Sequence, residues 1–398
     1  REAAVAATRP RARRAARWRR VLLSLAALRR RRPHASVGHT TAAQVAGLLG
    51  GLLAAGQAAA IDLPEDRGEG IYHRYDGGGV VADGVAVLVR KRVTDTASVW
   101  GSYYVDAVSN ASIDVVTTAS PYNENRDAYT LGVDYVHRDS ILSVVAEASR
   151  EPDYKANSVS VDLAQEVFGG MTTIALGFTR GDDDVGKKGV GFFDTATHWR
   201  YRVGVSQILT PSWLAALNYE SISDDGFLGS PYRIALVFGA AVPENNPRTR
   251  TSQSVNFRIV GDLGSGSAVR AGYRYFWDTW SIKAHTAEAT YSRYFGSEWL
   301  ADATVRLTSQ DAADFYSNDA DSVTRYISRN RQLSTFTTAG LGVKLSYKFG
   351  RVAERYDVRA GAAFEYVNFK YDDFSDVRTG KNYSFSANVM QVFVSATF

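Results

Sequence analysis

His73, His137, His198 and His285 are the only histidines after residue 60, and the 398-residue chain has no cysteine. The missing thiols exclude disulfide scaffolds, thiol catalysis, Cys-ligated zinc and thioether haem attachment. Acid–base chemistry would then fall to His285, with Glu288 three residues after it and Ser281 four residues before it. A Ser–His–acid set is defined by geometry, not spacing, and period-two alternation does not put these three on one face. Hydrolysis centred on His285 is therefore the alternative reading. The acid-rich runs Asp182–Asp184 and Asp224–Asp225, with Asp311, Asp314, Asp319 and Asp321, offer oxygen ligands for Ca²⁺ but lack EF-hand spacing. They read as solvated loops, or loops bridged by divalent ions to lipopolysaccharide. Asp76-Gly-Gly-Gly79 lacks the helix and Lys of a phosphate loop, so it reads as a hinge.

A second kind of chemistry is electrostatic. Arg90, Arg92, Arg200, Arg202, Arg258, Arg270, Arg274, Arg306, Lys344 and Arg359 alternate with apolar residues, as do Glu220, Asp302 and Glu365. Side chains on a strand alternate between its faces, so these charges share the side opposite the apolar one. Such a set is either an anion-favouring lining or a salt-bridged wall that stiffens a barrel.

The elements that would position them are strands. Val85, Val87 and Val89 face one way and Arg90 the other; Trp199, Tyr201, Val203 and Val205 alternate with Arg200 and Arg202; Leu341, Val343, Leu345, Tyr347 and Phe349 repeat the pattern. No segment after residue 60 keeps a 3.6-residue period. Short connections such as His137–Asp139, Phe168–Gly170 and Phe295–Glu298 alternate with mostly long ones: Ala107–Arg126, Gly181–Thr197, Ser223–Pro247, Gln310–Gln332 and Asp372–Lys381. Sorting of loops by side is the mark of an up-and-down transmembrane barrel, with short inner turns and larger outer loops. Fifteen strands are clear from Gly84 onward, and Glu69–Tyr75 supplies the outward strand needed before them. The expectation is an all-β, antiparallel transmembrane barrel of sixteen strands over residues 69–398, or fourteen if two weak strands belong to loops. Aromatics near strand ends (Trp213, Tyr275, Trp277, Trp299, Tyr347) fit interfacial girdles. Charges on the lipid side would cost about 2–4 kcal/mol each at the midplane for Arg or Lys, so the charged face must look into a polar interior. Pro243, Pro247 and Phe227–Arg233 suggest an ordered outer loop folding over the mouth.

The chain ends in an amphipathic ribbon, with Met390, Val392, Val394, Ala396 and Phe398 on one face. A terminal strand with a final aromatic resembles the assembly signal of outer-membrane barrels, which implies the barrel-assembly machinery as a partner, beside outer-membrane lipid and lipopolysaccharide. The first sixty residues hold twelve Arg and one Glu, so the formal charge of +4 conceals a net acidic remainder and gives no support to nucleic-acid binding. Val45–Gly56 is an apolar run of about twelve residues, short of the roughly 20 a spanning helix needs, and Ala58–Ala60 follows it. Residues 1–60 read as an Arg-rich leader and signal peptide cut after Ala60, with a true start downstream of the first residue, and residues 61–68 as a short periplasmic segment.

Several words resemble an uncharacterised bacterial outer-membrane family, domain of unknown function 3570: Tyr72–Gly79, Tyr104–Ser109 with Ile113–Tyr122, Phe178–Asp182, Asn218–Glu220 with Gly226–Arg233, Pro247–Thr251, Tyr273–Phe276 with His285–Glu288, and Ala312–Tyr316. The resemblance runs from about Gly70 to the C-terminus. It implies an outer-membrane barrel with no established activity, and periplasmic redox proteins as partners. The expectation for the whole chain is a pore or a scaffold for envelope solute or electron-transfer systems, with no chemistry of its own and no cofactor.

Overall fold

The computed structural model describes residues 61–110, 122–187 and 189–398. The expected leader and cleavage site, residues 1–60, lie outside these residues. In chain order the strands are β1 (Arg67–Gly77), β2 (Val80–Arg92), β3 (Ala97–Asn110), β4 (Tyr122–His137), β5 (Ser140–Arg150), β6 (Tyr154–Val167), β7 (Thr172–Lys187), β8 (Phe192–Thr210) and β9 (Trp213–Gly226). They continue with β10 (Ile234–Val237), β11 (Ala240–Pro243), β12 (Thr249–Gly264), β13 (Ser267–Asp278), β14 (Lys283–Phe295), β15 (Trp299–Gln310), β16 (Phe336–Val352), β17 (Tyr356–Ser375) and β18 (Asn382–Thr397). All but β10 and β11 form one closed antiparallel barrel of sixteen strands in sequential order. β1 pairs with β18 from Arg67↔Thr397 to Gly77↔Ala387, so no strand edge is left open.

The closing strand sets the direction of every other one. With the short connections at the inner end, β1 runs outward, β18 runs inward, and the broad loops 227–248 and 311–335 are both outer. One expected long loop is different. Gly181–Thr197 is mostly strand, because β7 and β8 stay paired up to Lys187↔Phe192. Asp182–Asp184 is therefore on β7, with Asp183 turned inward and its two neighbours outward.

The burial pattern separates two faces by residue parity. Val85, Leu131, Val203, Leu341 and Val392 are exposed on the outside, Val392 by 58%. An apolar stripe of this extent, left bare all round a closed barrel, requires lipid as its solvent. Trp299 and Tyr347 touch across β15 and β16 at 4.7 Å near the inner rim, and Phe178 touches Trp199 and Tyr201 at the outer one. Above that outer ring the outward positions turn polar, at Arg180, Asp182 and Asp184.

Candidate functional site: the barrel lumen and its mouths

All thirteen of the charged residues singled out above sit on the inward parity of their strands. Arg90 is buried against Asp134, which also accepts from Ser143 Oγ at 2.6 Å. Arg202 binds Asp162 at 2.8 Å, and Arg200 lies 3.8 Å from Glu220. Arg306 joins two strands at once, to Glu288 at 2.7 Å and Glu365 at 2.6 Å. Asp302 accepts from Ser292 Oγ at 2.5 Å and stands opposite Lys344, whose Nζ lies 4.6 Å from the Phe393 ring centre. Arg359 stands opposite Lys348, near the inner end of β17. Arg92 is exposed at the inner rim, where its backbone N–H donates to Asp66.

Arg258, Arg270 and Arg274 form a different group. Arg258 on β12 stands opposite Gly272 on β13, and Arg270 and Arg274 flank that glycine two residues to either side. Diagonal neighbours of this kind are roughly 7–8 Å apart at their backbones, within reach for long side chains. Gly272 has no side chain to separate the three guanidinium groups. Neither Arg258 nor Arg274 is in an ion pair among the described residues. Glu288, opposite Gly272 on the far side, accepts from Arg306 Nε and Nη2 at 2.9 and 2.7 Å. Three cations thus share one patch of wall near Glu288 and Glu220, which also serve Arg306 and Arg200, and the surplus of positive charge favours an incoming anion.

Both mouths are occupied by the chain itself. On the outer side, the loop 311–335 leans inward. Arg331 places its guanidinium 5.2 Å from the ring centre of Phe385 on the inner face of β18, and Tyr316 packs on the cluster of Phe336, Phe369, Tyr371 and Phe374. The β10–β11 hairpin fills the ordered loop expected from its prolines, and it bridges to this loop at Val237↔Ala320 and Asn245↔Ile327. On the inner side, Ile61 is buried against Ile141 and Ala164 on the lumen wall, so residues 61–66 strap part of that opening. Asp66 holds the strap through Lys91 Nζ and Arg92 N–H, both at 2.5 Å. Burial alone would raise the Asp66 carboxyl, but these two donors hold it below its ordinary value.

Two further groups of side chains lie toward the outer end. His198 on β8 bridges Asp183 (Nε2, 2.8 Å) and Asp224 (Nδ1, 2.8 Å), and Tyr154 donates to the same Asp183. Both imidazole nitrogens are consumed, so His198 acts as a tie across β7, β8 and β9. Around β3 and β4, Arg126 holds Asp106 by two hydrogen bonds of 3.1 Å, and Tyr104 donates to Asp106 and stacks on His73. Next to them Glu124, Glu151 and Asp153 bring their carboxylates together. Burial pushes the Glu151 carboxyl up to about 7; Arg126 opposes this, while Glu124 and Asp106 add to it. Parity places Asp106 inside, whereas Glu124 and Arg126 fell in the expected loop Ala107–Arg126, of which β3 takes the start and β4 the end. What sequence reading lacked was the short β5–β6 turn's approach to β4.

His285 is on the lipid side of β14. It bonds Tyr273 OH through Nδ1 at 2.6 Å and packs on Tyr275, also outward. Glu288 points into the lumen, and Ser281 binds Asp314 in the outer loops. The structure does not bring the proposed hydrolytic residues together. Met390, Val392 and Val394 are likewise exposed on the lipid side of β18, and Phe398, just past its end, is exposed as well.

A closed, even-stranded barrel with a bare apolar belt, aromatic rings at both rims and a charged interior defines an outer-membrane β-barrel. This chain is one, located in the outer membrane. The model of the family described as "Protein of unknown function (DUF3570)" matches residues 193–372, so the resemblance read in the sequence holds across that stretch. Among solved structures the chain is similar to the siderophore receptor PirA from Pseudomonas aeruginosa, at 10% identity over 79% of this chain and 60% of that one, with a TM-score of 0.44. It is also similar to a bacterial polysaccharide outer membrane secretin (10% identity, 84% and 99% covered, TM-score 0.48) and to OmpT, an outer membrane protein of Vibrio cholerae (10%, 85% and 100%, 0.44). The chain spans about 60% of the length of that receptor. No curated protein sequence matches it.

Proposed function

We propose that the protein is an outer-membrane pore for small anionic solutes, with no chemistry of its own. The observation that carries this reading is the Arg258, Arg270 and Arg274 patch around Gly272. Guanidinium groups clustered in a confined, partly desolvated lumen raise the local concentration of anions and repel cations. They also hold carboxylates or phosphates in a bidentate fork. Refolded protein in planar bilayers under a KCl gradient should give a reversal potential of anion preference. Replacing all three arginines by Gln should cut the chloride-to-potassium permeability ratio several-fold while leaving heat-modifiable gel mobility unchanged. Ohmic pores with unchanged selectivity in that variant would refute the assignment.

The covered mouths favour a second reading, in which the barrel stays shut and serves as a scaffold for envelope partners such as periplasmic redox proteins. No conductance from correctly folded barrels, together with copurifying periplasmic proteins, would select it.

A further inference from the structure

The strongest unassigned feature is at the outer rim, away from the arginine patch. Glu124 lies on β4, and Glu151 and Asp153 flank Pro152 in the three-residue connection between β5 and β6. That turn is held at both ends: Glu151 N–H donates to Tyr154 O at 2.8 Å, and Gly186 N–H on β7 donates to Asp153 O at 2.7 Å. One carboxylate oxygen from each of the three acids lies within 4.8 Å of the others. Two ligands that each sit about 2.3–2.6 Å from one Ca²⁺ are at most about 5 Å apart, so three such oxygens span a single ion.

Convergence of acids alone would mean little. The second observation is that the Asp153 side chain is buried and its Oδ1 has no hydrogen-bond partner. A buried, unpaired carboxylate oxygen costs more than almost any other polar atom, and it needs an explanation. We propose that Glu124, Glu151 and Asp153 form a Ca²⁺ site that pins the β5–β6 turn to β4 at the outer rim. The donors are all hard oxygens with no imidazole or thiolate among them, which suits Ca²⁺ over zinc or copper. Water and main-chain oxygens complete the coordination.

The site is tested on full-length barrel refolded in detergent free of lipopolysaccharide and stripped with EDTA, so that lipid-bridging cations are absent. Calorimetric titration with CaCl₂ should show one saturable site, and Tb³⁺ should give sensitised luminescence that Ca²⁺ displaces. Asp153→Asn and Glu151→Gln should each weaken Ca²⁺ binding at least tenfold, and the Ca²⁺-dependent rise in thermal midpoint should vanish in both. Heat-modifiable mobility identifies correctly folded variants. Absence of saturable binding by the wild-type barrel overturns the proposal. So does unchanged affinity in both folded variants, which would move the ion to other acids such as Asp182 and Asp184. Neither result bears on ion selectivity, so this site and the pore stand or fall separately.

Discussion

Arg90→Ala is expected to lower barrel stability by about 3–5 kcal/mol, the usual loss when one member of a buried ion pair is removed. Arg90 is 2% exposed and Asp134 is fully buried. The pair spans β2 to β4, with β3 between them contributing Ser98, whose hydroxyl donates to Asp134 Oδ2 at 3.2 Å. Asp134 faces Ser98 on one side and Ser143 on the other in the ladder register, so removing the guanidinium leaves a carboxylate with only hydroxyl partners. The indole of Trp100 fixes the geometry. It lies 5.3 Å from the Arg90 guanidinium and covers Gly132, where an added Cβ would come within 2.2 Å of its ring. Urea unfolding in lipid vesicles, followed by tryptophan fluorescence, measures the loss. The double variant Arg90→Met with Asp134→Leu should recover most of it, because replacing both partners by apolar groups removes the uncompensated charge. A single-variant loss below about 1 kcal/mol would mean that lumen water rehydrates Asp134 freely, contrary to its burial.

This pair also shows how far a sequence can be read. Arg90 is assigned to the inward face by alternation alone, since it follows Val85, Val87 and Val89 at the opposite parity. The direction of β1 follows from the C-terminal strand in the same way, and Arg67–Gly77 is where that argument requires a strand. Partners are another matter. Asp134 is 44 residues from Arg90, and which of several inward acids it meets depends on the registers of β2 on β3 and of β3 on β4 taken together. The same limit hid the acid cluster at Glu124, because Glu151 and Asp153 lie in a turn where parity says nothing. It also overextended the loop at Gly181–Thr197, where acidic residues looked solvated although β7 and β8 remain hydrogen-bonded above the membrane belt. The set of Ser281, His285 and Glu288 fails to converge for a reason parity already contained: three residues apart on a strand, His285 and Glu288 are on opposite faces.

Arg329→Ala is expected to free the outer loop 311–335 without unfolding the barrel. Arg329 is 4% exposed, and its guanidinium is committed three times: Nε to Asn318 O at 2.8 Å, Nη2 to Asn318 Oδ1 at 3.2 Å, and Nη2 to Ser375 O at 2.8 Å. Its charge also sits 4.6 Å from the ring centre of Phe374, which is fully buried. One side chain thereby ties the loop to the outer end of β17. Nearby, Glu244 beyond β11 accepts from Arg329 N–H and Ser328 Oγ and ties the loop to the opposite hairpin. Truncation orphans two partly buried carbonyls, at about 1–3 kcal/mol each at most. Charge-assisted bonds of this kind are lost from the loop alone, since no barrel ladder passes through Arg329. A local cost of about 2–4 kcal/mol raises the open population by roughly 30- to 1,000-fold, and local opening of this sort leaves the global transition untouched. Limited trypsin digestion should then cut at Arg325 or Arg331 far faster than in the parent, at an unchanged urea midpoint. Single-channel conductance should rise, because Arg331 and Tyr316 leave the lumen wall when the loop swings out. Arg329→Lys keeps the charge but not the planar fork, so it should fall between the two. Faster proteolysis with unchanged conductance would show that the loop rests on the wall beside the pathway; no change in either would show that Glu244 holds the loop unaided.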